Sequence, residues 1–147
     1  MLGPGEKTSL SYIANVLAGS GVRVDFKSRY VDPWMDDAHA TRLKGVLHFH
    51  DLGEAEAALR KLHEVYRDYR AASDQVGVDL VRALMVNGRL RAESLAASPR
   101  VSPEKRREKQ EIALWFKIWL DLPEAFFDWL DLRKRSEEYQ REFGGKN

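Results

Sequence analysis

Cysteine is absent from the chain, which removes disulfides, thiolate nucleophiles and cysteine-ligated zinc or iron–sulfur clusters together. A reducing cytoplasm is compatible with that composition and is the expected location. An excess of charge of one sign is missing too: 24 lysines and arginines stand against 23 aspartates and glutamates, for a net charge of +1. No global field therefore draws in DNA, RNA or an anionic membrane, and any nucleic-acid role would rest on a local patch. Long apolar runs are lacking as well, and none approaches the roughly 20 residues that span a bilayer. Leu10 to Ala18, following Lys7, has the outline of a signal peptide, but Ser11 and Asn15 interrupt it and Glu6 sits beside the one lysine that precedes it. Secretion is not expected.

Familiar catalytic motifs are also missing. Gly3-Pro-Gly-Glu-Lys-Thr8 resembles a phosphate loop but lacks a glycine before the lysine and a strand to hold it. His63-Glu64 begins like a helical zinc motif, yet Arg67 occupies the place of the second histidine. At the rim of an apolar stripe beside Leu59 and Tyr66, His63 reads as a packed side chain. No Gly-x-Ser-x-Gly occurs, and an enzymatic role has no support from a nucleophile motif.

What the chain does contain is helical periodicity. At 147 residues it fits a single domain able to bury a real core. Leu10, Ile13, Ala14 and Leu17 recur at helical spacing and Gly19-Ser-Gly21 ends that helix. Val22, Val24 and Phe26 alternate with Arg23 and Asp25 as in a half-buried strand, and Tyr30 and Val31 extend it. After the turn-rich stretch from Asp32 to His39, Arg42 to His50 is a second candidate strand with Leu43, Gly45, Leu47 and Phe49 on one face. The expectation for residues 1–50 is a helix plus a small two-stranded β ribbon.

Residues 51–98 read as a helical hairpin. Asp51-Leu-Gly-Glu54 has the form of a capping box, and Ala55, Ala58, Leu59, Leu62, Val65, Tyr66 and Tyr69 fall on one arc. Ser73 or Asp74 caps the next helix, whose stripe of Leu80, Val81, Leu84, Met85, Gly88, Ala92 and Leu95 stays in phase through Asn87-Gly88. That favours one continuous helix, with Gly88 admitting a neighbouring backbone. Ser98 to Pro103 is a linker, and Ser102-Pro103 has the cap-then-first-turn order that starts a helix.

Residues 103–143 form the expected third part, a kinked, aromatic-rich helical region. Ile112 to Leu132 holds three of the four tryptophans and three of the six phenylalanines. From Ile112 to Leu122 a helix leaves only Gln110, Lys117 and Asp121 as a polar seam, so it must be enclosed by its own chain or by a partner. Pro123 breaks or kinks it, with Asp121-Leu-Pro-Glu124 read as a second capping box. The last helix is expected to carry Phe126, Trp129, Leu130, Leu132, Tyr139 and Phe143 inward and to end at Gly144-Gly145. The fold class is thus mainly α, a bundle of about four to five helices with a minor N-terminal β ribbon.

Two constellations bear on function. The first is the aromatic stretch, which reads equally as core or as a surface for a second copy or another protein, with Trp115, Phe116, Trp119, Phe127 and Trp129 as the partner-binding residues. The expected function is a non-catalytic helical assembly or adaptor subunit, homo-oligomeric or docked on a larger protein, with no resident cofactor. The second is His48-Phe-His50, where residues two apart in an extended segment point the same way, with Asp36 or His39 as a third ligand for a divalent metal. The plainer reading, a solvated ribbon face, is preferred for this pair, and a small metal-binding protein or metal-dependent enzyme is the alternative. Arg100, Lys105, Arg106, Arg107 and Lys109, and again Arg133, Lys134 and Arg135, alternate with glutamates, so a nucleic-acid accessory role stands third.

Overall fold

The structure, a computed structural model, describes residues 37–144. The first expected helix, the strand over Val22 to Phe26, and Asp36 lie outside them. Helix makes up 80% of the described residues, and no strand occurs among them. The elements are α1 (Asp37–Leu43), α2 (Leu52–Ala71), α3 (Gln75–Ala97), α4 (Pro103–Asp121), α5 (Phe126–Arg135) and the single turn α6 (Glu137–Tyr139), which runs into a π-helical turn, Gln140–Gly144.

The stretch from Arg42 to His50 is not a strand. Asp37–Leu43 is helical, and Gly45, at φ 73°, takes the left-handed conformation that ends a helix, with the Lys44 N–H still donating to the Ala40 carbonyl at 2.8 Å. Lys44 to Val46 make a turn, and Leu47 to Phe49 follow it outside any helix or turn. The expected inward side chains are nonetheless right: Leu43, Leu47 and Phe49 are all buried.

Helix α2 starts where the capping residues put it. Asp51 Oδ1 accepts from the Glu54 N–H at 2.8 Å, and the seven residues of the expected arc are the buried ones. Asp74 caps α3 by accepting from the Gly77 N–H at 2.9 Å, and α3 is continuous through Asn87-Gly88. A Cβ on Gly88 would stand 2.6 Å from Phe116 Cε1, so the close neighbour is an aromatic ring on α4, not a backbone. Ser102 caps α4, with Pro103 in its first turn. Helices α3 and α4 form the most extensive pairing, α2 packs on both, and the core lies among the three.

Helix α4 stops at Asp121, as Pro123 requires, but Asp121-Leu-Pro-Glu124 is not a capping box. Helix α5 begins after Ala125, without a side-chain cap. Leu122 to Ala125 make a turn, closed by the Ala125 N–H donating to the Leu122 carbonyl at 3.1 Å. Arg82 donates to the Leu120 carbonyl at 3.1 Å, satisfying one of the acceptors that a helix end leaves open. The final helix is not continuous either. Ser136 adopts an extended conformation after α5 and caps α6 by accepting from the Tyr139 N–H at 3.0 Å. Phe126, Leu130 and Tyr139 are buried as expected, whereas Leu132 is 65% exposed.

Candidate functional site

The alternation that puts Leu47 and Phe49 into the core leaves His48 and His50 exposed on the other side. Their rings stand edge to face with centroids 4.9 Å apart. Next comes the cap of α2, and its reciprocal half reaches one residue further back than the sequence suggests: Glu54 Oε1 accepts from the His50 N–H at 2.7 Å. That bond folds the carboxylate over the histidines, so that one ligand atom each from His48, His50 and Glu54 lies within 4.8 Å of the others. Lys109, nearly buried on α4, donates to the His50 carbonyl and holds the segment from below.

His39 does not join this group. It is buried against the Tyr69 ring, 5.3 Å between centroids, with Nε2 2.7 Å from Asp74 Oδ2. The Gly77 N–H, and after it His39, hold the Asp74 carboxyl below its ordinary range. Asp36 lies outside the described residues. The third residue of the trio was legible in principle, because a capping-box glutamate turns back toward the residues just before its helix.

The aromatic residues divide into two groups. Trp115, Phe116 and Trp119 are at most 1% exposed and lie in the core cluster of the folded chain. Phe116 packs on Gly88 and on Phe49, 5.6 Å between centroids. Trp119 lies edge-on to Tyr66 at 4.9 Å and donates from Nε1 to His63 Nδ1 at 3.0 Å. An indole only donates, so Nδ1 accepts and His63 carries its proton on Nε2. Burial pushes the His63 pKa down, Glu124 opposes that shift and Arg67 adds to it. Phe127 and Trp129 are only partly covered. Phe127 meets His63 at 5.2 Å and carries the Arg60 guanidinium 4.5 Å above its ring, in the wall of a shallow cleft of about 480 Å³. Trp129 rests on Phe126, 5.8 Å between centroids.

Buried charge fixes α5. Glu111, 5% exposed, accepts from the Trp115 indole at 2.9 Å and from Arg133 twice, at 2.7 and 2.6 Å, a bidentate pair. Glu111 raises the Arg133 pKa above its ordinary value. Beside it, Lys134 donates to Glu56 at 2.8 Å, joining α5 to α2. Burial, then the carboxylates of Glu111 and Glu56, push the Tyr139 hydroxyl up to about 12. Glu111 was missed by the sequence reading, although it stands one turn before Trp115 on the face that turns inward.

The same pairs absorb much of the basic character. Arg106 donates to the Ser98 and Val101 carbonyls, Lys105 pairs with Glu108, and Lys109, Arg133 and Lys134 are held as described. Lys109 and Glu111 are therefore not part of a solvated helix face. No helix among the described residues is long and apolar enough to cross a membrane. The chain matches no protein-family model, no curated protein and no solved structure.

Proposed function

We propose that the protein is a non-catalytic helical assembly subunit that self-associates or docks on a larger protein, and that its contact surface is the outer side of α5 with the turn before it. The observation that supports this reading is the distribution of apolar side chains on α5. Of Phe126, Phe127, Trp129, Leu130 and Leu132, only Phe126 and Leu130 are buried. Trp129 and Leu132, three apart, share a face. Leu132 is 65% exposed, and Leu122, in the turn that leads to α5, is 59% exposed. Single exposed leucines are ordinary on a protein surface, but here two accompany a half-covered tryptophan and phenylalanine within eleven residues. The Glu111–Arg133 and Glu56–Lys134 pairs clamp α5 at its C-terminal half, so the surface is presented by a fixed element. In this reading the interface is narrower than the whole aromatic stretch, since Trp115, Phe116 and Trp119 serve the core that supports it.

Sedimentation of the purified protein across micromolar concentrations, with recovery of stoichiometric partners from the native cell, tests the reading. The expected result is a mass above that of one chain or a reproducible partner. Leu132→Glu should abolish it without lowering the thermal transition, because the new charge is costly only where it is covered by another chain. A monomer at every concentration, without a partner from cells, refutes it.

A further inference from the structure

The trio at the start of α2 is separate from the α5 surface and independent of the assembly reading. We propose that His48, His50 and Glu54 form an open binding site for one divalent transition-metal ion of the zinc, cobalt, nickel and copper class. Two imidazole nitrogens and a carboxylate oxygen are the donor set that such ions take, whereas calcium and magnesium select oxygen-only shells.

The geometry brings the three donors together. A tetrahedral ion with bonds of about 2.0–2.2 Å places its donors roughly 3.3–3.6 Å apart. The three ligand atoms already lie within 4.8 Å of one another on exposed side chains, so small rotations close the site without moving the core. The backbone is set beforehand: Leu47 and Phe49 are anchored in the core, the Asp51 cap fixes the first turn of α2, and the bond from the His50 N–H holds one Glu54 oxygen. A carboxylate has a second oxygen for the ion.

The electrostatics run both ways. The positive end of the α2 dipole and the Lys109 ammonium under the His50 carbonyl oppose a cation. The Glu54 and Asp51 carboxylates offset them, and neutral imidazoles add no charge. Three protein ligands leave at least one coordination position to solvent, the arrangement of an exchangeable site and not of a closed structural one. An ion held there ties residues 48–50 to the first turn of α2.

The test uses the full chain without a histidine tag, freed of metal by chelator, with zinc and then nickel added in a calorimeter and in thermal unfolding. One ion per chain and a raised thermal transition are expected, with no displacement by excess magnesium. His48→Ala, His50→Ala and Glu54→Gln should each weaken binding by about 10-fold or more. Glutamine keeps an acceptor for the His50 N–H, so Glu54→Gln separates ligation from capping, and the metal-free variants should unfold at the wild-type temperature. Absence of saturable binding, or binding that all three variants retain, overturns the proposal and leaves the histidines as a solvated surface.

Discussion

Replacing Gly88 by alanine sets two effects of known sign against each other. In a helix interior alanine is favoured over glycine by about 1 kcal/mol, so an open site would gain stability. Gly88 is not open. The new Cβ would stand 2.6, 2.7 and 3.0 Å from Cε1, Cζ and Cδ1 of Phe116, where carbon atoms rest comfortably at about 3.5–4.0 Å. The ring has little room to retreat, because Phe116 is fully buried and Phe49 packs against it. Overpacking of a core costs about 1–3 kcal/mol, and a backed aromatic ring belongs at the upper end. The net expectation for Gly88→Ala is a loss of about 1–2 kcal/mol, a fall in the thermal transition of roughly 3–6 °C, at unchanged helix content. Circular dichroism melting and urea midpoints measure it. Gly53→Ala is the matched control: that Cβ meets only Asp51 Oδ1, at 3.5 Å, and should stabilise by up to about 1 kcal/mol. In the double variant Gly88→Ala/Phe116→Leu the smaller side chain makes room for the methyl, so the two losses should be less than additive. A Gly88→Ala protein as stable as wild type, or more so, refutes the tight α3–α4 contact.

Two further outcomes follow from the buried polar groups. Glu111→Ala strands Arg133 and the Trp115 indole. Breaking a buried pair costs about 3–5 kcal/mol, but the Arg133 side chain is 32% exposed and reaches water, so a loss of about 2–3 kcal/mol is expected in urea unfolding. Glu111→Leu combined with Arg133→Leu should recover part of it, since no charge is then left unpaired although the Trp115 indole N–H still lacks its acceptor. His63 has a folded pKa below its ordinary 6.5. The unfolded chain therefore takes up this proton first, and the stability held by neutral His63 is complete above pH 6.5 and lost as the pH falls toward the folded pKa. His63→Gln, which can still accept from Trp119, should flatten the decline in thermal stability as the pH falls below 6.5 relative to wild type. Parallel slopes for the two proteins would remove His63 from the acid response.

Much of the fold was legible because helix starts and stops are local. Asp51, Asp74 and Ser102 accept from backbone N–H groups three residues on, and Pro123 lacks the N–H that α4 would need to continue. Periodicity identified the inward residues of α2 and α3 for the same reason, since residues three or four apart share a face whatever lies opposite. Even where the assignment of Arg42 to His50 to a strand fails, Leu47 and Phe49 are buried and His48 and His50 exposed, because alternate residues of a non-helical segment face opposite sides. The error arose at Gly45, whose place in an alternating apolar pattern conceals its left-handed φ.

The sequence by itself determined that the chain is helical from Asp51 onward, where most of those helices begin, and which faces of α2 and α3 are apolar. Only the tertiary structure decided what those faces meet. Trp115, Phe116 and Trp119 became core because α2 and α3 enclose α4, while Leu132 turned outward because ion pairs from Arg133 and Lys134 to Glu111 and Glu56 set the rotation of α5. Those partners lie 22 and 78 positions away along the chain. Caps and periodicity act within about four residues and can be read in order, whereas burial, buried ion pairs and ring packing depend on which distant segments come together in space.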